Sequence, residues 1–321
     1  MAILVTGGAG FIGSHLCRTL LERGERVTVL DDLNDYYPPS WKRANLERLR
    51  EVAKFEFVHG DIRDLPLCER LFREGKFAAV VHLAARAGVR PSLAEPLLYE
   101  DVNCRGTLNL LECSRKNDVG RFVFASSSSV YGCSKSVPFR EDDPAAGPAS
   151  PYGATKRSAE IHCATYTHLY GLPTLCLRFF TVYGPGQRPD MAIHKFARFI
   201  DTGKPIPFFG DGSSRRDYTW VDDIQQGLVN ALTAEYRHEI VNLGESNTTT
   251  LSDLVRSIEE GLGKKAVLER LPDQPGDVPT TYADISKAKA LLGYAPTTPF
   301  PVGIGKFIRW YQDVGRAWWG R

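Results

Sequence analysis

Ala2-Ile3-Leu4-Val5-Thr6-Gly7-Gly8-Ala9-Gly10-Phe11-Ile12-Gly13 opens the chain as a short apolar run, a glycine-rich turn and the start of a helical pattern that stops at Gly24. A strand entering a helix through such a turn brings Gly7, Gly10, Phe11, Ile12 and Gly13 to the positive helix terminus, where the missing Cβ atoms let a pyrophosphate approach the backbone. The spacing gains weight from Asp31, eighteen residues after Gly13 at the end of the second apolar run, Arg26 to Leu30. A carboxylate there accepts both hydroxyls of a ribose and repels the extra phosphate of NADP, so the pattern predicts NAD.

Further apolar runs at 55–58, 78–83 and 121–125 alternate with helical stretches near 41–53, 66–74 and 94–117. This is the rhythm of βαβ units around a parallel sheet, and it predicts a doubly wound α/β domain. Gly60-Asp61-Ile62 closes the third strand, where the Asp61 carboxylate can meet an adenine amino group, and Leu83-Ala84-Ala85 closes the fourth with small residues that admit a ligand. Beyond residue 180 the pattern loosens around Gly184-Pro185-Gly186, residues 204–208 and Gly210-Asp211-Gly212, which predicts a smaller, irregular lobe and a cleft between the two. Trp310, Tyr311, Trp318 and Trp319 read as a packed final helix with a frayed end.

Composition excludes several classes. With 40 Lys+Arg against 38 Asp+Glu the formal charge is +2, and no basic run interleaves with aromatics, so nucleic acid is not an expected partner. Seven cysteines without a CxxC pair point to a reducing compartment, and seven histidines without HxxH or HxxxH spacing give no expectation of a metal. No apolar run reaches about 18 residues, and strand-like sequence begins almost at Met1, so the expectation is a cytoplasmic protein with no membrane partner.

Tyr152 and Lys156 stand four apart at the start of a helical segment, 151–171, and share one face. A phenol with a pKa of about 10 takes a proton near neutrality only beside a cation, which Lys156 supplies. Tyr131 and Lys135 repeat the spacing, but in a turn before Pro138 rather than on a long helix. Ser126-Ser127-Ser128-Ser129 ends the strand 121–125 at the mouth of the sheet, where a hydroxyl can bridge substrate and tyrosine; taken alone, the serines would be turn formers.

With these segments in place the chain resembles the extended short-chain dehydrogenase/reductase family, in its nucleotide-sugar epimerase and dehydratase branch. The likeness rests on TGGAGFIGSH (6–15), GDIRD (60–64), HLAARAGVR (82–90), SSSSVYG (126–132), SPYGATK (150–156), RFFTVYGPGQRPDM (178–191), GDGSSRRDYTWVDDI (210–224) and QPGDVPTTYADISKA (274–288). It implies a Rossmann-type doubly wound parallel sheet over 1–180 that holds NAD. It also implies a nucleotide-sugar lobe over 181–321, with some return to the first domain. The resemblance makes Ser127 the catalytic hydroxyl, Tyr152 the base and Lys156 its electrostatic partner. It makes Arg216 a ligand of the UDP diphosphate, puts Pro207 to Phe209 against the uracil, and counts Asp277 among the substrate contacts. Arg86 and Pro91 depart from the family pattern.

Within the branch, HLAARAGVR, TVYGPGQRPDM and QPGDVPTTYAD resemble UDP-glucuronate 4-epimerases; Thr181 and Gln274 stand where UDP-galactose epimerases carry Asn and Arg. The implied reaction is inversion at carbon 4 through a transient ketone, with tightly held NAD regenerated each cycle. A glucuronate oxidised at carbon 4 is a β-keto acid, so an epimerase must hold its carboxylate away from the carbonyl π system. Ser128, Ser129, Thr181 and Arg188 are the candidates for that grip, with Arg90 a second choice and a solvated loop cation or phosphate ligand the plain alternative for Arg188. Rival readings are an epimerase of UDP-glucose or UDP-N-acetylglucosamine, a UDP-glucuronate decarboxylase, and a non-catalytic NAD-binding sensor. The family usually dimerises through counterparts of 94–117 and 151–171, which implies a homodimer.

Overall fold

Six apolar runs before residue 180 form parallel strands: β1 Ala2–Thr6, β2 Arg26–Asp31, β3 Glu56–His59, β4 Ala79–His82, β5 Arg121–Ser127 and β6 Thr174–Phe179. In this computed structural model, which describes residues 1–134, 136–144, 147–272 and 278–319, Ile3, Leu4 and Val5 are wholly buried. That is the requirement of a central strand covered by helices on both faces. The helices between the strands are α1 Phe11–Glu22, α2 Pro39–Val52, α3 Leu65–Gly75, α4 Val89–Ala94, α5 Pro96–Glu100, α6 Gly106–Lys116 and α7 Pro151–Tyr170.

The helical stretch expected near 94–117 is therefore broken. Pro96 drives Glu95 out of helical backbone (φ −128°, ψ 50°), which separates α4 from α5. A wider π-turn, Asp101–Arg105, then joins α5 to α6 through a bond from the Gly106 N–H to the Asp101 carbonyl. This slack turn aims Asn103 inward. Its side chain accepts from the Arg86 N–H at 2.8 Å, and its amide donates to the Arg86 carbonyl at 3.0 Å and to Thr155 Oγ1 at 3.0 Å. The loop after β4 is thereby clamped to α7.

Beyond residue 180 lie β7 Thr181–Tyr183, β8 Ile206–Phe209, β9 Arg215–Arg216, β10 Tyr218–Trp220, β11 His238–Leu243, β12 Thr249–Thr250 and β13 Leu268–Leu271. Among them run α8 Ala192–Asp201, α9 Val221–Ala231, α10 Leu251–Leu262, α11 Ser286–Leu292 and α12 Phe300–Trp310. Strand β11 crosses back and pairs with β6, giving a seven-stranded parallel sheet in the order β11-β6-β5-β4-β1-β2-β3, while three two-stranded sheets pair β7 with β10, β9 with β12 and β8 with β13. Strand order reverses between β1 and β4, so the crevice for a ligand opens above Thr6 and His82, beyond the carboxyl ends of the strands.

His82 itself is core. Its Nε2 donates toward Thr107 Oγ1 at 2.9 Å and its Nδ1 accepts from Thr6 Oγ1 at 2.7 Å, which satisfies both nitrogens. The aromatic tail docks as well: Trp318 is buried, its ring centre 4.9 Å from that of Trp41, whose Nε1 donates to the Trp318 carbonyl. No helix among the described residues is long and apolar enough to cross a membrane.

Candidate active site

The glycine turn crosses the end of β4 so closely that side chains cannot be fitted. Gly7 has a left-handed φ of +72°, and a Cβ there would lie 2.7 Å from the Ala84 amide nitrogen; a Cβ on Gly13 would collide with the Gly7 carbonyl. Gly10 precedes α1 and offers no side-chain cap, so the first-turn N–H groups stay available at the positive end of the helix. This cradle lines a cleft of about 370 Å³ together with Asp31, Asp61, Ile62, Leu83, Ala84 and Ala85.

Asp31 is nearly buried, and its carboxylate accepts from the Ala9 N–H at 3.0 Å and the Leu33 N–H at 2.9 Å. Burial raises its pKa, with the charge of Lys42 working the other way. The acid thus ties the glycine turn to the end of β2 as well as facing the cleft. Asp61 carries a fork from Arg63, whose Nε donates to the two carboxylate oxygens at 3.1 and 3.0 Å. Burial works against the Asp61 charge, but the hydrogen bonds and charge of Arg63 hold the carboxyl below its ordinary range.

On the other wall, Ser150 caps α7 by accepting from the Gly153 N–H at 3.1 Å, with Pro151 in the first turn. That fixes Tyr152 at the mouth of the cleft and Lys156 one turn deeper. Burial pushes the Tyr152 phenol above its ordinary pKa, and a hydrogen bond with Ser127 and the field of Arg188 oppose it. Burial likewise pulls the Lys156 ammonium down to about 8. Its Nζ donates to the Ala125 carbonyl at 2.8 Å and lies 6.0 Å from the centre of the Tyr152 ring. Ser127 Oγ donates to Ser129 Oγ at 3.1 Å and accepts from the Ser129 N–H, which locks the serine turn beside the tyrosine.

Ser128, Ser129, Thr181 and Arg188 line the same cleft. One edge of the Arg188 guanidinium is occupied within the chain, and the edge that carries Nη1 is left facing the cleft. Nε and Nη2 each donate at 3.1 Å to the carboxylate of Asp190, two residues on, as the tight turn after Gly184 folds the side chains together. Arg90 is exposed, with its guanidinium 4.7 Å from the ring centre of Phe209. Pro207 and Phe209 on β8 and Arg216 on β9 lie off the lining of this cleft, and Gln274 and Asp277 lie outside the described residues.

Tyr131 is sequestered. It is buried, stacks on Phe139 at 4.6 Å and donates to Asn242 Oδ1 at 2.7 Å, while Lys135 lies outside the described residues. Sequence reasoning missed Tyr36, Tyr37 and Lys42 as lining residues. The signal for the two tyrosines was the segment Asp32 to Tyr37, which directly follows the strand that ends at Asp31.

The sequence profile of the family described as GDP-mannose 4,6 dehydratase matches residues 4–307. The chain belongs to this family of extended short-chain dehydrogenase/reductases. Among its members, a UDP-glucuronate 4-epimerase of Thermodesulfobacterium geofontis is 43% identical, over 97% of this chain and 96% of the relative. UDP-glucuronate 4-epimerase 4 of Arabidopsis thaliana is 46% identical, over 97% of this chain and 75% of the plant protein. The crystal structure of a Bacillus cereus UDP-glucuronic acid 4-epimerase in complex with UDP-glucuronic acid and NAD superposes with a TM-score of 0.90 at 38% identity, covering 98% of this chain and 100% of that one.

Proposed function

We propose that this chain is an NAD-dependent isomerase that inverts carbon 4 of UDP-glucuronate, giving UDP-galacturonate through a transient 4-ketone. The observation that carries the reading is the meeting, in one cleft, of the glycine cradle and Asp31 with Ser127, Tyr152 and Lys156 and with Ser128, Ser129, Thr181 and Arg188. The family's name points to dehydration, but elimination of water needs an acid and a carboxylate beside the tyrosine. Ser128 and Ser129 occupy the turn that would carry them.

The residues fit the cofactor: glycines where a Cβ would close the cradle, uncapped N–H groups at α1, and an acid at the end of β2. NAD held by the glycine cradle and Asp31 would supply the hydride acceptor for carbon 4 and the hydride donor that reduces the ketone again. Tyr152 accepts the 4-hydroxyl proton, Ser127 bridges that hydroxyl and the phenol, and Lys156 stabilises the phenolate by its charge. Ser128, Ser129, Thr181 and Arg188 hold the sugar carboxylate, Arg216, Pro207 and Phe209 belong to the UDP end, and Asp277 is a further substrate contact. Residues 1–180 serve the cofactor and 181–321 chiefly the nucleotide sugar, with β11 as the returning segment.

The seven unpaired cysteines agree with a cytoplasmic setting. A homodimer through α5 to α7 is supported by Leu97, Ile161, Leu169 and Tyr170, large apolar side chains that the single chain leaves exposed; light scattering that gives a monomer at micromolar concentration would remove it. The function is tested by incubating purified protein separately with UDP-glucuronate, UDP-glucose and UDP-N-acetylglucosamine and analysing the products. UDP-galacturonate is the expected main product, and preferential turnover of a neutral sugar would overturn the reading.

A further inference from the structure

The guanidinium of Arg188 is held on two sides before any ligand arrives. Asp190 fills its Nε–Nη2 edge with two bonds of 3.1 Å, an arrangement that makes carboxylate and guanidinium coplanar. Tyr36, from the loop after β2, donates its hydroxyl to Asp190 Oδ2 at 3.2 Å and sets its ring against the cation, with Cζ 5.4 Å from the ring centre. Gly88 makes room for this: a Cβ there would come within 3.0 Å of the Tyr36 hydroxyl. The guanidinium plane is therefore fixed by one acid and one aromatic ring, and the edge that carries Nη1 is left for a ligand.

We infer that Asp190 is a positioning residue that sets the plane in which Arg188 meets the carboxylate of the sugar, and so suppresses loss of carbon dioxide. The inference rests on the proposed action on UDP-glucuronate, in which the bound cofactor is the oxidant. In the 4-ketone, the C5–C6 bond breaks when it swings out of the ring plane into line with the carbonyl π system. Its electron pair then enters the carbonyl as an enolate, carbon dioxide leaves, and C5 takes a proton from water. The product is UDP-4-keto-pentose, and the reducing equivalents stay on the cofactor. A bidentate partner of fixed plane holds C6 near the ring plane, whereas an unsupported arginine keeps the charge and loses the direction.

The test compares the parent with Asp190→Ala and Asp190→Glu. The first readout is the ratio of UDP-4-keto-pentose to UDP-galacturonate in one time course, which a general loss of activity would not move because both arise from the same ketone. In Asp190→Ala the ratio should rise roughly tenfold, the rate equivalent of about one hydrogen-bonded constraint, and Asp190→Glu, which can still fill the fork, should restore most of it. The second readout is calorimetric binding of UDP-glucuronate and UDP-glucose on a Tyr152→Phe background, where turnover is removed. Affinity for UDP-glucuronate should not fall in Asp190→Ala, since the arginine charge remains. If the parent forms UDP-galacturonate but the ratio is unchanged in Asp190→Ala, or both sugars lose affinity alike, Asp190 only shapes its loop and the inference fails alone. If the parent forms no UDP-galacturonate, the reading of the substrate fails and the inference with it.

Discussion

Glu160 accepts the Nε and Nη2 hydrogens of Arg178 at 2.8 and 2.9 Å, with both side chains at most 1% exposed. The same carboxylate takes the Ser126 hydroxyl at 2.6 Å, one residue before Ser127, and stands one helical turn beyond Lys156. The pair therefore joins α7, β5 and β6 directly behind the proposed proton-transfer residues.

Glu160→Gln should cost about 3–5 kcal/mol of stability, because it leaves the Arg178 cation buried and without its anion. Urea unfolding measures this, and a loss below about 1 kcal/mol would show that the pair is not what joins these elements. Burial pushes the Glu160 carboxyl up, yet the hydrogen bonds and charge of Arg178, with Ser126 and Arg157, together hold it below its ordinary value. A depressed acid contributes stability that is present above its unfolded pKa and lost as pH falls through the folded one. The parent should thus lose this contribution in acid, and Glu160→Gln should lack that part of the slope.

Tyr152→Phe and Tyr131→Phe should fail in opposite ways. The first removes the proposed proton acceptor and should abolish turnover with the fold and NAD binding intact. The second leaves the buried Asn242 Oδ1 without the Tyr131 hydroxyl, so it should lose about 1–3 kcal/mol of stability while retaining turnover. Activity and thermal unfolding measured on both variants check this; the reverse pattern would reassign the base to Tyr131.

Much of this site was legible because its parts are local. The glycine turn, Asp31 and the Tyr152–Lys156 pair each depend on a strand end or one turn of helix, which spacing reports directly. What escaped depends on how turns and loops aim side chains, at short range as well as across the fold. The pairing of Arg188 with Asp190, and the return of Tyr36 beneath it from 152 residues earlier, follow from the geometry of a turn and of a loop. Periodicity carries neither. The reading of 94–117 as one helical stretch passed over Pro96, which marks the break between α4 and α5, whereas the π-turn that aims Asn103 has no comparable residue to mark it. The pairing of β11 beside β6 is likewise a long-range event that no local pattern around 238–243 specifies.

The wild-type protein should prefer NAD to NADP, and Asp31→Asn should relax that preference by about 10–100-fold, the equivalent of one charged hydrogen bond of about 1.5–3 kcal/mol. Asparagine also removes the charge that repels a ribose phosphate, and it leaves Lys42 nearby as a cation that can receive one. Titration of both cofactors into apoprotein measures the ratio. Equal affinity of the wild-type chain for the two would remove the role given to Asp31.

Activity should fall on the alkaline side as the Lys156 ammonium loses its proton. Burial brings that group down to about 8, so the cation is present below this value and lost as pH rises through it. A plot of kcat/KM against pH should bend downward near there, since this parameter reports the free enzyme, and Lys156→Met should lose the bend along with most of the rate. A flat profile up to pH 10 would mean that the lysine is not needed in its charged form.

Arg188→Ala separates a sugar acid from a neutral sugar. If the arginine meets the carboxylate by its Nη1 edge, truncation should weaken UDP-glucuronate by roughly 2–5 kcal/mol, the range for removing one partner of a hydrogen-bonded charge pair that is out of water. UDP-glucose has no carboxylate to lose and should be affected less. The guanidinium is largely shielded, with 19% of the side chain exposed, so the effect should persist at high salt, where a solvated loop cation would contribute nothing. Asp190 loses its partner in this variant and brings an unpaired carboxylate near the sugar acid, which adds repulsion for UDP-glucuronate alone. Competition binding of both sugars to the NAD-loaded protein, at low and high salt, measures the difference; equal losses on the two would return Arg188 to a general phosphate-binding or structural role.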